Sequence, residues 1–345
     1  MPRFPADQLT TIVCDVLEGA GVRPEDAAVV ARELVDANLV GHDSHGVIRL
    51  VQYEKQIRDG VVDHTADPEL VVDTPSLALF DGHRQFGQVM AGQALGLAAE
   101  RVEAQGTFTV FARNSSHIGR LGSYTTRAAE MGYVAWMSVN SPGRGPVSPF
   151  GGVDPRLPTN PISFAAPGPH GPIVLDMTSS VVAEGKVRVA YQRGDAIPEG
   201  WLADEEGQPV TDPARLYDDP TVTMLPLGGS SGFKGSGLAV AIDILCGVLS
   251  GFGVAREDMD LGNNGIWLYL VAIDAVSDRA TYDRWLEGYV DWIKSSRKAP
   301  GFDEIFMPGE IEQRRRVTRE RDGIMIAQPT WDQIMALANR LGVDV

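Results

Sequence analysis

The chain has 345 residues, of which 43% are hydrophobic and 22% charged, so it is long enough for two or three domains with substantial cores. Its formal net charge of -16 excludes nucleic acids and anionic membrane surfaces as expected partners, because both repel an acidic protein at long range. The sequence has neither a secretory signal pattern nor a run of about 18 apolar residues typical of a membrane span. Cys14 and Cys246 lie alone in apolar patterns, as buried reduced thiols do, and the cytoplasm is the expected compartment.

The first sixty residues predict a small helical unit. Apolar residues recur at helical spacing over 9–17, and a second helix is predicted over 24–39, with a proline at its first position. A third helix is predicted to begin at Asp43 or Ser44, either of which has the side chain of an N-cap, and to continue to about Arg58.

From about residue 70 the pattern changes to short β-rich runs alternating with helices, which predicts an α/β (mixed α+β) body with a mixed sheet. Strands are predicted over 70–74, 77–82, 107–114, 133–140, 162–167, 173–177 and 266–273, and helices over 87–105, 119–131, 237–249, 282–294 and 331–341. The segment 191–230 is rich in Gly, Pro and Asp and has weak periodicity. Such long loops are often functional, so we interpret it as an active-site flap, an interface arm or a surface excursion without a role.

A polar stripe is predicted on the third helix. His45, Arg49 and Tyr53 recur at i, i+4 and i+8 and therefore share one face. The helix N-terminus disfavours imidazolium, so His45 is expected to stay neutral and exchange a proton, while the guanidinium fork of Arg49 suits a carboxylate. The same stripe also fits a solvated helix face. An acidic protein that binds an anionic small molecule needs such a local cation.

A second histidine, His117, follows the β-rich run 107–114 and is predicted to lie in a strand-to-helix loop, where binding groups often collect. Asn114, Ser115 and Ser116 precede it and can orient its ring. The alternative is a capping turn in which His117 has no role. A metal site built on His42, Asp43 and His45 is a further alternative, although the sequence indicates no additional ligand.

The sequence contains no G-x-G-x-x-G after a strand and no G-x-x-x-x-G-K-[ST], so the common nucleotide-binding motifs are absent. Three segments rich in small polar residues lie at predicted element ends: 140–144, 176–180 and 228–235. Their backbone N–H groups, helped by Lys234, have the chemistry to hold a pyrophosphate. Ordinary turns have the same composition.

Taken in order, these segments resemble the malate/L-lactate dehydrogenase-like family, and the resemblance covers nearly the whole chain. It is carried by HDSHGVIRL (42–50), RNSSHIGRLGSY (113–124), PFGG (149–152), PTNPISFAAP (158–167), VLDMTSS (174–180), GK (185–186), GFKGSGL (232–238) and MPGE (307–310). The segment 141–146 departs from the short Thr- or Ser-rich turn of many relatives, which weakens the comparison at that point.

The resemblance implies a non-Rossmann fold with a helical domain, 1–65 with 300–345, and a mixed-sheet body, 66–299. It implies a homodimer with its sites near the interface and NAD or NADP as cofactor. The implied reaction is hydride transfer to or from a small 2-hydroxy or 2-keto acid of the malate, lactate, sulfolactate or ureidoglycolate type. Reduction of a cyclic 2-imino acid is the alternative within the family, and a metal-dependent lyase or hydrolase and a cofactor-free binding protein are the alternatives outside it.

Site residues are carried over position by position, and the resemblance implies no metal. The implied proton carrier is His45 or His117, with Ser44 beside the former. The implied substrate ligands are Arg49, Tyr53 and Thr159. The implied cofactor contacts are Asn140 or Ser141, Asp176, Met177, Thr178, Ser179, Lys234, Gly309 and Glu310.

Overall fold

The computed structural model describes residues 1–259 and 263–345. The described residues form the strands β1 (Arg3–Phe4), β2 (Glu69–Asp73), β3 (Leu77–Asp81), β4 (Thr107–Ser115), β5 (Tyr133–Asn140), β6 (Ile162–Ala166), β7 (Ile173–Met177), β8 (Leu202–Ala203), β9 (Pro209–Val210), β10 (Thr223–Met224), β11 (Asn264–Ala272) and β12 (Ile324–Met325). The helices are α1 (Ala6–Gly19), α2 (Pro24–Leu39), α3 (Leu50–Arg58), α4 (Gly87–Gln105), α5 (Leu121–Glu130), α6 (Glu184–Arg193), α7 (Arg215–Asp218), α8 (Phe233–Ile242), α9 (Arg279–Lys294), α10 (Glu310–Asp322) and α11 (Gln328–Leu341).

The body of the molecule is a seven-stranded mixed sheet with the strand order β2-β3-β4-β11-β5-β6-β7. Only β3 and β4 pair in parallel, joined by the crossover helix α4, and all other neighbours are antiparallel. Helices α4 and α5 pack on the sheet over alternating apolar residues such as Phe108 and Val110 on β4. The mixed α/β fold predicted from the sequence is therefore confirmed.

The two chain ends pack together. Strand β1 pairs with β12 through Phe4 and Ile324, and a single buried cluster joins side chains of α1, α2, α3 and α11. A separate cluster lies between the sheet and helices α4 and α5. The predicted division into a helical domain and a mixed-sheet body stays a prediction, with the residue bounds given above.

Segment 191–230 is ordered differently from the irregular excursion that its composition suggested. It contains α7 and the three-stranded sheet β10-β8-β9, which share a small core with α6. The predicted helix over 237–249 begins earlier, at Phe233, and its second half is a π-helix, Asp243–Val248. None of the described helices is both long and apolar enough to cross a membrane.

Candidate active site

The chain around His45 does not continue into α3 as predicted. Two short 3-10 turns, Asp43–His45 and Val47–Arg49, precede α3, and Gly46 between them has extended backbone angles, φ -87 and ψ -154. The amide of Val47 donates to Oδ1 of Asn38 at 2.9 Å, and a Cβ at Gly46 would lie 2.2 Å from that oxygen. The predicted continuous helix is therefore wrong, because α2 binds the chain at Gly46 and breaks it there.

The predicted N-cap is also wrong, because neither Asp43 nor Ser44 caps a helix. Ser44 instead contacts its neighbour, with Oγ 3.1 Å from Nδ1 of His45. Nε of Arg49 donates to the carbonyl oxygen of Ser44 at 2.7 Å, and Nη1 donates to Oε1 of Gln52 at 2.7 Å. Arg49 thus lies beside His45 by folding back across the turn, not by helical spacing.

His117 lies between β4 and α5, in the predicted strand-to-helix loop. Its ring centroid is 5.7 Å from that of His45, and the two ring planes differ by 18°. Nδ1 of His117 lies 2.7 Å from the Tyr53 hydroxyl, which also accepts a hydrogen bond from Nε2 of Gln88 at 2.8 Å. The structure therefore brings His45, Arg49, Tyr53 and His117 together, and it adds Gln88.

The residues expected to orient the His117 ring fix the loop backbone instead. Asn114 donates to Asp81, Ser115 donates to the carbonyl of Asn264, and Oγ of Ser116 accepts from the amide of Gly87. Tyr53 is 1% exposed, and both its protein partners involve the hydroxyl that was expected to touch substrate. Its geometry therefore favours a role through His117 over direct substrate contact.

Burial keeps both imidazoles neutral. It lowers the pKa of His45 to about 3, assisted by the positive charge of Arg49, and the same two causes hold the pKa of His117 well below its ordinary value. The neutral state of His45 was expected from a helix N-terminus, but its cause is desolvation beside a guanidinium. A neutral imidazole can accept a proton at physiological pH.

The first group of expected cofactor residues lies at the end of β5. The amide of Asn140 is fully buried and donates to Oδ1 of Asp243 and to the carbonyl of Gly253, both at 3.0 Å. Nδ2 of Asn264 donates to Oγ of Ser141 at 2.9 Å, and Oδ1 of Asn264 accepts from the amide of Ile118 at 3.2 Å. Asn140 and Ser141 thus support the loop that carries His117.

The second group lies where β7 ends, beyond Met177. Both the amide and the hydroxyl of Ser179 donate to the carbonyl of Thr159, at 2.9 and 2.8 Å. The first turn of α8, which carries the exposed Lys234, packs on the same end of β7. A Cβ at Gly235 would lie only 2.6 Å from the carbonyl oxygen of Ser179. The hydroxyl of Thr178 bonds within its own turn.

The third group, Asp176, Gly309 and Glu310, lies at or beside a cavity of about 330 Å³ between β7 and the start of α10. Oδ2 of Asp176 accepts from the amide of Gly122 at 2.9 Å and lies 3.7 Å from Nη1 of Arg120. Oε2 of Glu310 accepts from the amide of Met307 at 2.9 Å and so closes the turn before α10. Arg120 lies within the segment 113–124, but no local pattern in the sequence distinguishes it from the other arginines.

The residues of the metal alternative have other partners. Nε2 of His42 lies 3.6 Å from Glu312, and the Asp43 carboxylate accepts from Arg319 at 2.6 Å. Within residues 1–259 and 263–345, no group of three or more His, Cys, Asp or Glu side chains is placed to share a metal ion.

A mixed-sheet α/β protein with paired imidazoles beside an arginine is the class that fold and site define, and comparison with known proteins narrows it. A family model described as malate/L-lactate dehydrogenase matches residues 4–335. A malate dehydrogenase of Pyrococcus horikoshii is 37% identical over 99% of this chain and 96% of its own, and an L-sulfolactate dehydrogenase of Methanocaldococcus jannaschii is 33% identical over 97% and 96%. The chain belongs to the malate/L-lactate dehydrogenase family.

Solved structures agree with this assignment. The structure of malate dehydrogenase from Pyrococcus horikoshii OT3 has a TM-score of 0.90 and 34% identity, covering 99% of this chain and 96% of that one. A delta1-piperideine-2-carboxylate reductase from Pseudomonas syringae has a TM-score of 0.86 and 27% identity, covering 98% and 100%. The predicted family is confirmed, and with it an oxidoreductase family that acts on hydroxy acids with a nicotinamide cofactor. Membership of this family gives no support to the alternative interpretation as a cofactor-free binding protein.

Proposed function

We propose that this protein transfers a hydride between NAD(H) or NADP(H) and a small 2-hydroxy acid, and that the acid binds beside His45 and His117. The observation that carries the proposal is the placement of two half-buried imidazoles 5.7 Å apart beside the guanidinium of Arg49. The malate and L-sulfolactate dehydrogenases among its relatives support the substrate class, since both named substrates are 2-hydroxy acids.

Arg49 binds the substrate carboxylate in this proposal. The two hydrogen bonds that the structure gives its guanidinium both go to neutral acceptors, the Ser44 carbonyl and the Gln52 amide. These two contacts therefore leave the positive charge of Arg49 unbalanced, and its Nη2 remains available to pair with a carboxylate oxygen. Because the chain as a whole carries a net charge of -16, such a local cation is what draws an anionic substrate to this place.

His45 carries the proton. In oxidation, the hydroxyl proton of the substrate passes to His45, the C2–H bond breaks with both electrons leaving as hydride, and the C2–O bond becomes a carbonyl. The nicotinamide, when bound, supplies the carbon that accepts the hydride, and reduction reverses each transfer. Since burial and Arg49 lower the pKa of His45 to about 3, the base form needed for oxidation is present at neutral pH.

In this proposal, the cavity beside Asp176 holds part of the dinucleotide. Nε of Arg120 is buried there without a hydrogen-bond partner among the described residues, while Nη2 of Arg120 donates to Asp36 at 2.8 Å. Arg316 also lines the cavity and pairs with the same carboxylate.

The N-terminus of α10 opens into the same space with the backbone N–H groups of Ile311 and Glu312, which suit phosphate, although the carboxylates of Asp176 and Glu312 also line the cavity. Gly309 has φ +93 and lies so close to Val174 that a side chain would be strained, which lets α10 start against β7.

A parallel fluorescence titration with NADH and NADPH tests this function first. Absorbance at the nicotinamide band then follows malate, L-lactate and sulfolactate with the bound nucleotide, together with a cyclic 2-imino acid. We expect one nucleotide to bind and at least one 2-hydroxy acid to turn over. Turnover of the cyclic imino acid alone would move the assignment to imine reduction, and binding of neither nucleotide would overturn it.

We further propose that the active form is a homodimer that covers the outer face of α8 and the π-helix after it. Val240, Ile244 and Val248 recur every four residues on this face and are 46%, 51% and 60% exposed, while the opposite side, with Ile242 and Cys246, is buried. A helix that is apolar on both sides is normally enclosed. A second copy can enclose it symmetrically, because the same face meets itself across a two-fold axis.

Light scattering during size-exclusion chromatography tests the dimer. The double substitution Ile244→Glu with Val248→Glu is expected to shift the mass from about twice 37.2 kDa to 37.2 kDa. Trp292→Glu on α9 is the matched control, since Trp292 is 76% exposed on another helix and should leave the dimer intact. A dimer that persists in the double variant, or one lost only with Trp292→Glu, would contradict the assigned face.

A further inference from the structure

A buried chain of hydrogen bonds runs from Gln88 through Tyr53 to His117. Nε2 of Gln88 donates to the Tyr53 hydroxyl at 2.8 Å, and that hydroxyl lies 2.7 Å from Nδ1 of His117. Gln88 is 0% and Tyr53 1% exposed, so water does not compete for either group. Because the chain is short and excludes water, the direction of each hydrogen bond determines which nitrogen of His117 carries the proton.

The fold holds this chain rigidly. Gly87 begins α4 directly against the His117 loop, since a Cβ at Gly87 would lie 2.3 Å from the carbonyl oxygen of Ser116. The amide of Ser116 donates to the carbonyl of Gln85 at 2.9 Å, and the Tyr53 ring packs on Phe86 at 5.8 Å. Gln88 is therefore locked to the His117 loop through the first turn of α4.

The direction of the chain follows from the hydrogen atoms available. A phenol has one hydrogen, and the structure directs Nε2 of Gln88 at the phenol oxygen and leaves Oε1 of Gln88 without a partner among the described residues. Nδ1 of His117 is therefore the acceptor within reach of the phenolic hydrogen. Burial raises the pKa of Tyr53 to about 12, so the phenol keeps that hydrogen at neutral pH. Nδ1 then accepts, and the neutral ring carries its proton on Nε2.

We propose that Gln88 is a positioning residue that, through Tyr53, fixes His117 as the Nε2–H tautomer. His117 then donates a hydrogen bond to the 2-oxygen of the substrate and is not the base. His45 differs, because its Nδ1 faces the Ser44 hydroxyl, which can donate or accept and so leaves the ring free to gain and lose a proton. This assignment of roles rests on the proposed function, whereas the tautomer itself does not.

Two substitutions separate this role from simple packing. Gln88→Met keeps the length of the side chain but removes the donor to the phenol oxygen, so that this oxygen becomes free to accept from Nδ1–H of His117. Gln88→Glu is isosteric and supplies an acceptor, so Tyr53 donates to the carboxylate and accepts from Nδ1–H of His117, which reverses the chain. A residue that only filled space would leave the tautomer of His117 unchanged in both variants.

Nitrogen NMR of ¹⁵N-histidine-labelled protein without substrate gives the tautomer of each of the six histidines, with His117 assigned from the spectrum of His117→Asn. We expect Nε2 protonated in the wild type and Nδ1 protonated in Gln88→Glu. In turnover, both variants should lower kcat by about 10- to 100-fold through loss of orientation, with the KM for the nucleotide unchanged.

A wild-type ring protonated on Nδ1, or an unchanged tautomer and kcat in both variants, would overturn the inference. The wild-type spectrum needs no variant, so the inference stays testable even where a substitution unfolds the protein. If the expected tautomer is found but no 2-hydroxy acid turns over with either nucleotide, the proposed function fails while the hydrogen-bond chain stands.

Discussion

The turn that carries His45 and the loop that carries His117 support their imidazoles in different ways. Among the described residues, the ring of His45 has one hydrogen-bonding neighbour, the hydroxyl of Ser44 on its own turn. The ring of His117 instead ends a buried chain that runs through Tyr53 to Gln88. A hydroxyl can reverse its hydrogen bond at little cost, but a buried chain with one available phenolic hydrogen cannot. In the proposed mechanism, this difference lets the His45 ring change its protonation state and holds the His117 ring in one tautomer.

The two regions share one feature: in each, a glycine at the start of a helix packs against the segment that carries the histidine. Gly87 brings α4 onto the carbonyl of Ser116, and Gly185 brings α6 onto Ser44, where a Cβ would lie 2.4 Å from Cβ of Ser44. In both places glycine permits an approach that a side chain would block. The GK segment 185–186 therefore has a physical explanation, since Gly185 holds the residue that contacts His45.

Removal of the imidazole at His45 should give the largest effect. His45→Ala is expected to lower kcat for oxidation by about 10²- to 10⁴-fold, the usual range for a lost acid–base group, with nucleotide affinity unchanged. Steady-state kinetics and fluorescence titration measure the two quantities. His83→Ala is the control, since His83 is exposed beside Glu69. Unchanged turnover in His45→Ala would remove the distinction between the two rings.

Loss of the guanidinium fork should weaken substrate binding. Arg49→Ala is expected to raise the substrate KM by about 100-fold and Arg49→Lys by about 10-fold, because lysine keeps the charge but not the paired donors. Initial rates over a range of substrate concentrations measure both. An unaltered KM in Arg49→Ala would show that the carboxylate binds elsewhere.

A side chain at residue 185 should disturb His45 without touching it. Gly185→Ala is expected to push Ser44 away and lower kcat by about 10-fold, a loss typical of a displaced catalytic group. Gly96→Ala is the matched control, since Gly96 lies in α4 with nothing within 4 Å of a built Cβ and should keep full activity. Equal activity in both variants would break the proposed link between α6 and His45.

The smallest expected effect is the pH dependence. Burial and Arg49 lower the pKa of His45 to about 3, so the base form persists down to that pH. The kcat/KM for oxidation should therefore show no inflection near pH 6.5 and should fall only in the acidic range where the substrate and protein also titrate. An inflection near pH 6.5 that disappears in His45→Ala would mean that the ring is solvated.

The lowered pKa of His45 also makes the free energy of unfolding depend on pH. Because the pKa of His45 is lower in the folded than in the unfolded chain, protons bind preferentially to the unfolded chain below about pH 6.5. The free energy of unfolding therefore loses this contribution as the pH falls from 6.5 toward 3. Urea unfolding of the wild type and His45→Gln at pH 7 and 5 measures the difference, which should shrink in the variant.

Strands and apolar helices were accessible from the sequence. Short β-rich runs predicted β3, β4 and β5, while helical spacing predicted α1 and a proline at the first position supported α2. Helix α10 escaped prediction because Arg and Glu occupy it on all sides, and the break at Gly46 depends on Asn38, which no local pattern reveals. Gln88 gave no signal, since its role exists only once α3, α4 and the His117 loop meet.

The central claim is hydride transfer from C2 of a 2-hydroxy acid to the nicotinamide. The most direct test uses the acid and nucleotide that turn over, with the acid deuterated at C2, and mass spectrometry of the reduced nucleotide. The account predicts one deuterium in the nucleotide for each turnover, with none lost to water. A reduced nucleotide without deuterium would contradict it.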